Sequence, residues 1–300
     1  MKQNKSIIIF LSLMLAGMGF AMKLTATGPI QMKNVQVNPF TDLTVRTQFD
    51  VYLSQGDEEK LVIETYKSII PYVNVKQTSD GLVIALDRKV NRISWLNRDK
   101  ILKLYITVKD LEELKLSGAC DLYMQTDFHV GDLKIDASGA SDLVLKKITG
   151  TNIKINTSGA SDIKGSTLEA ETVYINASGA SDANVHIKAP TVKLIASGSS
   201  DFNLDVNAES LNISAHGSSD FKVKGNSTYL KANLSGSSDL KASDLKTETI
   251  VIDASGSSDS RLYVTKSLTV SCSGASSVYY TGSPQQTSFN VSGISSIKSK

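Results

Sequence analysis

Eight aspartates recur at near-constant spacing through the second half of the chain: Asp121, Asp142, Asp162, Asp182, Asp201, Asp220, Asp239 and Asp259. Each closes a phrase of the form Ser-Gly-(Ala/Ser)-Ser-Asp or a close variant, so one carboxylate and several small polar groups return together. Hard oxygens in a regular row could form a ladder of divalent-cation sites, because Ca²⁺ takes about 6–8 oxygen ligands. One carboxylate per phrase is a thin supply, and the interval differs from the nonapeptide calcium repeat. Calcium is therefore the lesser expectation, and no other cofactor or metal is expected. The stronger expectation is that Asp and Ser oxygens satisfy backbone N–H groups at a corner, as in Asx-type turns.

Catalysis is harder to build from these residues. A catalytic carboxylate is normally unique in its place, whereas this one returns with every phrase. The three histidines, His129, His186 and His216, leave little for a histidine-based centre, and no Ser/His/Asp constellation stands out. No catalytic residue is assigned. A separate cluster lies in the segment 87–100, where Arg88, Lys89, Arg92, Arg98 and Lys100 surround the sole tryptophan, Trp95. Arg88, Arg92, Trp95 and Arg98 could bind a glycan or an anionic surface through cations and an aromatic ring. The structural alternative is a solvated hairpin excursion with Trp95 covering the core edge.

The phrase glycines define the elements that must position these groups. They are Gly118, Gly139, Gly159, Gly179, Gly198, Gly217, Gly236, Gly256, Gly274 and Gly293, at intervals of 18 to 21 residues. Six, four and two residues before each glycine the chain is mostly apolar, as in Val173, Ile175 and Ala177, and the pattern resumes four and six residues after it. Alternation with period two marks strands with one buried face. Each copy reads as strand, glycine corner, strand and a variable stretch. One copy cannot bury its own apolar face, so copies must stack. The prediction is an all-β fold, a right-handed parallel β-helix with coils of about 19–20 residues spaced about 4.8 Å apart. Ten such coils give a rod of roughly 45–50 Å.

In that register the aspartates point outward as a row, and like charges so spaced repel. Lys164, Lys222, Lys241, Arg261 and Lys298 lie two residues further along and are expected to offset the row. Ser277 and Ser296 replace Asp in the last two phrases. Asn156, Asn176, Asn233 and Asn290 form a partial outward amide row. Cys120 and Cys272 fall eight coils apart, roughly 38 Å, far beyond the Cα separation of about 7 Å that a disulfide tolerates. Free thiols are expected.

Residues 23–116 lack the phrase but keep strand patterning in Leu43-Thr44-Val45, Val51-Tyr52-Leu53, Leu61-Val62-Ile63 and Leu82-Val83-Ile84. They read as the cap and irregular first coils of one continuous domain with 117–300. Residues 1–22 read as a signal peptide, with Lys2 and Lys5 before the apolar run Ile7–Met18 and small residues at Gly19 and Ala21. The run is shorter than the roughly 20 residues that span a bilayer, so no transmembrane span is expected after cleavage. Without those two lysines the formal charge of +2 falls to zero, which argues against nucleic acid as a partner.

The segments Phe40-Thr41-Asp42-Leu43, Asp50-Val51-Tyr52-Leu53 and Leu104-Tyr105-Ile106-Thr107-Val108, with the Ser-Gly-Ala-Ser-Asp repeats, carry a resemblance over about residues 35–300. The chain resembles the head GIN domain family of exported Bacteroidetes-type proteins, often labelled auto-transporter adhesins. The resemblance implies a right-handed β-helix and a surface or adhesive role, and brings no catalytic residues. Ser288–Lys300 reads as one more coil, so nothing here resembles the membrane strands of a translocating barrel. The expectation is an exported non-enzymatic envelope protein, in the periplasm, on the outer surface or secreted, that binds a glycan or a cell-surface protein. The alternative is a polysaccharide-active lyase or hydrolase using the β-helix groove.

Overall fold

The computed structural model describes residues 22–79, 81–96 and 98–300. The signal peptide expected at 1–22 lies, up to residue 21, outside the described residues. Strand accounts for 68% of the fold, which among the described residues contains no α-helix and forms a β-solenoid of about nine turns. Ten corner glycines bound nine full turns, which reconciles that number with the ten phrases.

Successive coils pair in parallel and in register. The core column Leu133, Ile153, Val173, Val192, Leu211, Leu230, Ile250 and Leu268 is one continuous set of Cα partners, and every member is buried. Period two follows from the pleat, which sends alternate side chains to opposite faces. Inside the rod, like residues stack on like: Phe202 and Phe221 lie with ring centroids 4.6 Å apart. Coil lengths differ by a residue or more, and several of the differences are absorbed as register shifts away from the corner, between Lys164 and Thr167 and between Ala242 and Lys246.

The corner between stacked coils is built around glycine because a Cβ there would meet the backbone of the neighbouring coil. All ten phrase glycines adopt positive φ, from 72° to 102°. They stack directly, so a Cβ on Gly179 would lie 2.4 Å from the carbonyl oxygen of Gly159. The column two residues earlier is small over five successive coils, Ala137, Thr157, Ala177, Ala196 and Ala215, and is flanked by Leu116 and Leu234. Thr157 is the misfit, since its buried hydroxyl has no hydrogen-bond partner.

The N-terminal part departs from simple stacking. Asp42–Thr47 and Asp50–Gln55 lie directly beneath Glu113–Gly118 and Asp121–Met124. Thr47 stands in the glycine position with φ 92°. The next coil outward is assembled from later sequence, Gly81–Leu86 and Leu102–Val108. Antiparallel strands then cover the parallel edge: Val73–Gln77 on one side, Lys60–Tyr66 and Ile30–Val35 on the other. An uncovered parallel edge would be open to pairing with another chain. The segment expected as a hairpin excursion instead contains the strand Val90–Ser94, which pairs in parallel with Met22–Thr25. At the far end, Gln286–Val291 and Ser296–Ser299 complete the last coil.

Two substitutions test this geometry. Gly179→Ala forces an L side chain into a positive φ and against a carbonyl, and should lower stability by at least about 1–3 kcal/mol. Gly131→Ala, with nothing within 4 Å of the added carbon, should leave the melting temperature nearly unchanged. In the opposite direction, Thr157→Val removes an unsatisfied buried hydroxyl at nearly constant shape and should stabilise by about 1 kcal/mol. Thermal melts of the three variants decide both points.

Candidate functional site

The phrase residues are consumed by the corner itself. The serine two after each glycine points into the rod, and Ser141, Ser161, Ser181, Ser200 and Ser219 are fully buried. Each hydroxyl donates to the carbonyl three residues back, as Ser181 does to Ser178 at 3.2 Å. Each also accepts the N–H of its counterpart one coil earlier: Ser161 donates to Ser181 Oγ at 3.2 Å and Ser181 to Ser200 Oγ at 3.3 Å. Cys120 opens this ladder, donating its N–H to Ser141 Oγ. The aspartates run the other way. Asp142 N–H donates to Asp121 Oδ1, Asp162 to Asp142, Asp182 to Asp162 and Asp201 to Asp182, at 3.0–3.3 Å. The same pattern continues through Asp220, Asp239 and Asp259. These acceptors serve N–H groups of the neighbouring coil, so they differ from the within-turn Asx bonds expected.

The cationic row offsets the aspartates in only two places. Lys164 bridges Asp142 and Asp162 at 3.4 and 3.3 Å, and Lys241 reaches Asp220 at 3.4 Å. Among the described residues Lys222, Arg261 and Lys298 form no ion pair with the row. Between the two clamps, Asn184 and Asn203 occupy the cation position beside Asp182 and Asp201. The carboxyl of Asp201 is pushed up, first by burial and then by the like charges of Asp182 and Asp220. Asp50, which stacks beneath Asp121, is raised for the same reasons, burial first and then Asp121. Asp50 extends the row by a coil, and its lack of the glycine phrase hid it. Among the described residues no group of three or more His, Cys, Asp or Glu could hold a metal ion.

The tryptophan segment is spread along the cap edge. Trp95 packs partly buried against the core, with its ring tilted against Tyr66 at 6.3 Å. Arg98 places its guanidinium 5.5 Å from the Tyr66 ring and donates to the Gly28 carbonyl at 3.1 Å. Trp95 and Arg98 thus tie the cap together, while Arg88 and Arg92 project into solvent. An aromatic stack that spacing alone did not reveal lies nearby: Tyr105, Tyr52 and Tyr123 stack at 5.0 and 5.2 Å. A hydrogen bond to Glu64 pushes the Tyr105 phenol up to about 12.

A long concavity lies on a third side of the rod, at residues that the sequence pattern did not single out. It crosses seven successive coils, about 30 Å at the strand spacing, with a volume of about 940 Å³. Small residues make its floor: Gly150, Ala170, Ala189, Ala208 and Ser227. Its rims carry Glu169, Lys188, Asn207 and Asn226 on one side and Glu171, Pro190 and Glu209 on the other. Hydrogen bonds from Lys188 and Lys147 hold the Glu169 carboxyl down at about 2, which unsuits it to donate a proton near neutral pH.

Both cysteines are buried free thiols, and burial pushes Cys120 up to about 11. A thiol so held is a poor nucleophile. The histidines sit apart from one another. His129 contacts Thr149, His186 faces Asp205 at 3.5 Å, and His216 contacts Ser235 of the next coil.

Fold and corner together define a parallel β-solenoid whose repeated polar groups bind neighbouring coils. The family model described as "Putative auto-transporter adhesin, head GIN domain" matches residues 39–186 and again 171–284. The chain belongs to this family. Among solved structures it is similar to a putative adhesin from Parabacteroides merdae, at 16% identity and a TM-score of 0.54, over 93% of this chain and 99% of that one. Others include a putative adhesin from Parabacteroides distasonis, at 16% identity, TM-score 0.47 and coverage of 92% and 99%. A putative lipid binding protein from the same species matches at 16% identity, TM-score 0.44 and coverage of 92% and 100%. No curated protein matches.

The two ladders respond differently to substitution. Ser181→Ala strands the buried N–H of Ser161 and should destabilise by about 1–3 kcal/mol. Asp201→Asn keeps an oxygen for the Asp220 N–H and removes a crowded charge. A raised carboxyl pKa means the folded chain holds this proton more tightly than the unfolded one. Its unfavourable contribution is complete above the folded pKa and fades as pH falls through it toward the unfolded value. Asp201→Asn should therefore raise the melting temperature at about pH 7, with the gain shrinking toward about pH 3. A gain that grew on acidification would contradict the assignment.

Proposed function

We propose that this protein is an exported, non-enzymatic module of the cell envelope, a rigid rod that presents long flat faces to a glycan or a surface protein. One observation carries the reading: the chemistry-bearing groups that recur in every coil are engaged in hydrogen bonds between coils. Membership of an adhesin-type family supports it, as do a leader-like N-terminal sequence and the separation of the three histidines. Its elongated sides suit multivalent attachment, where rigidity limits the entropy lost on binding.

A specific observation favours a second reading. The seven-coil groove with its acidic rims is the shape a polysaccharide-cleaving enzyme would use. Its best-held carboxylate, Glu169, stays ionised and paired, which unsuits that residue as the proton donor such an enzyme needs.

Glycan-array binding and a polymer-degradation screen on one purified sample separate the two. The expectation is binding with no release of reducing ends or unsaturated products from any polymer. Sustained product release, abolished by Glu171→Gln or Glu209→Gln, would overturn the non-enzymatic reading. Calcium titration should give no heat and no shift in melting, since the aspartate row is already engaged by backbone N–H groups. Proteolysis of the intact protein on living cells would place it on the outer surface.

A further inference from the structure

One flat face carries a charge pattern that the repeat does not require. Five residues before each corner glycine, an outward column runs Lys154, Tyr174, Lys193, Asn212 and Lys231, each the Cα partner of the next. The columns on either side run from Asn152 to Tyr229 and from Asn156 to Asn233, and hold only Asn, Thr, Ser, Ile and Tyr. No carboxylate lies on this face over five coils. Acidic residues return at its borders, with Asp136 paired to Lys134 on one side and Asp253 on the other.

Tyr174 holds two of the cations without neutralising them. The Lys154 ammonium lies 5.2 Å and the Lys193 ammonium 5.5 Å from the Tyr174 ring centroid, from the coils on either side. A ring quadrupole attracts an ammonium yet leaves its charge available, whereas a carboxylate would cancel it. Because Lys154, Lys193 and Lys231 come from alternate coils, positive charges recur about every 9–10 Å along the rod. That interval matches the disaccharide unit of an extended sugar polymer. Amides of Asn176 and Asn233 lie beside the charges and suit hydroxyl and carbonyl groups between them, while those of Asn156 and Asn212 donate to Asp136 and Ser210.

The geometry points to an anionic polysaccharide, with one carboxylate or sulfate per disaccharide, lying along this face parallel to the rod axis. The inference rests on the binding-module reading and names its ligand class. The near-neutral net charge makes the strip a local feature, separate from any general attraction to polyanions.

The test measures binding of the purified protein to hyaluronan, with one carboxylate per disaccharide, and to chondroitin sulfate, which adds a sulfate. Dextran is the neutral polymer and oligothymidylate the nucleic-acid one. At low ionic strength both anionic polysaccharides should bind and dextran should not, with binding falling as salt rises. A Lys154→Gln, Lys193→Gln, Lys231→Gln triple variant should lose at least about tenfold in affinity. So should Lys193→Gln combined with Asn212→Lys, which keeps three lysines but breaks the alternate-coil spacing. Lys222→Gln with Lys298→Gln, on another side, should change nothing, and all variants should melt as the parent does. Unaltered binding by the triple variant, equal binding by the spacing variant, tighter binding of oligothymidylate, or no anionic polysaccharide bound at low salt would each overturn the site. Binding of other glycans that ignores these lysines would overturn the site and leave the binding-module reading standing; polymer cleavage would remove that reading itself.

Discussion

Everything in this molecule depends on how closely two coils approach at the glycine corner. Parallel strands sit about 4.8 Å apart, and the chain must turn there with its carbonyl aimed at the next coil. A Cβ at Gly159 would stand 2.3 Å from the carbonyl oxygen of Gly139, and the contact repeats along the stack. Glycine is therefore favoured for two separate reasons, the positive φ and the missing volume, and Thr47 at the start of the column shows that φ alone does not exclude a side chain. The preference for small residues two positions earlier, broken at Leu116, Leu234 and Val291, fits the same crowding. So does the placement of coil-length differences elsewhere, where a bulge meets no such wall.

A corner this tight turns backbone N–H groups away from regular strand pairing, and buried N–H groups must find acceptors. Two side-chain ladders supply them in opposite senses. Serine oxygens accept from the coil before and aspartate oxygens from the coil after, so each corner is tied to both neighbours. Hydroxyls serve inside because they are uncharged and can also donate, each to a carbonyl three residues back. Carboxylates serve outside because water screens their mutual repulsion. Where that screening weakens, at Asp50 and Asp201, the carboxyl is pushed up.

Much of this was legible in the sequence. The glycine interval, the period-two flanks and the outward Asp position follow from pattern alone, because one local rule is written many times. What stayed hidden was whatever is written once. The cap stacks out of chain order, with 42–55 lying between 81–108 and 113–124. No periodicity announces an antiparallel cover such as Lys60–Tyr66. Trp95 was readable as a cover for the core edge, but the partners of Trp95 and Arg98, Tyr66 and Gly28, are distant in sequence and could not be named from it. The groove's lining residues could not be picked out for a related reason, since its floor is a column of small residues recognisable only once register is known.

Repetition itself separates architecture from recognition. A group present in every coil answers a demand that every coil makes, and the corner makes such demands of Gly, Ser and Asp. Outward strand positions face no such demand, so regularity there needs another cause. Lysines alternating with Tyr174 and Asn212 over an acid-free face serve no need of the fold, because the same positions hold Val251, Thr269 and Ser288 further along without disturbing the stacking. The rod thus has two layers of sequence. An inner one is fixed by the approach of neighbouring coils, and an outer one is free to be matched, coil by coil, to whatever lies along it.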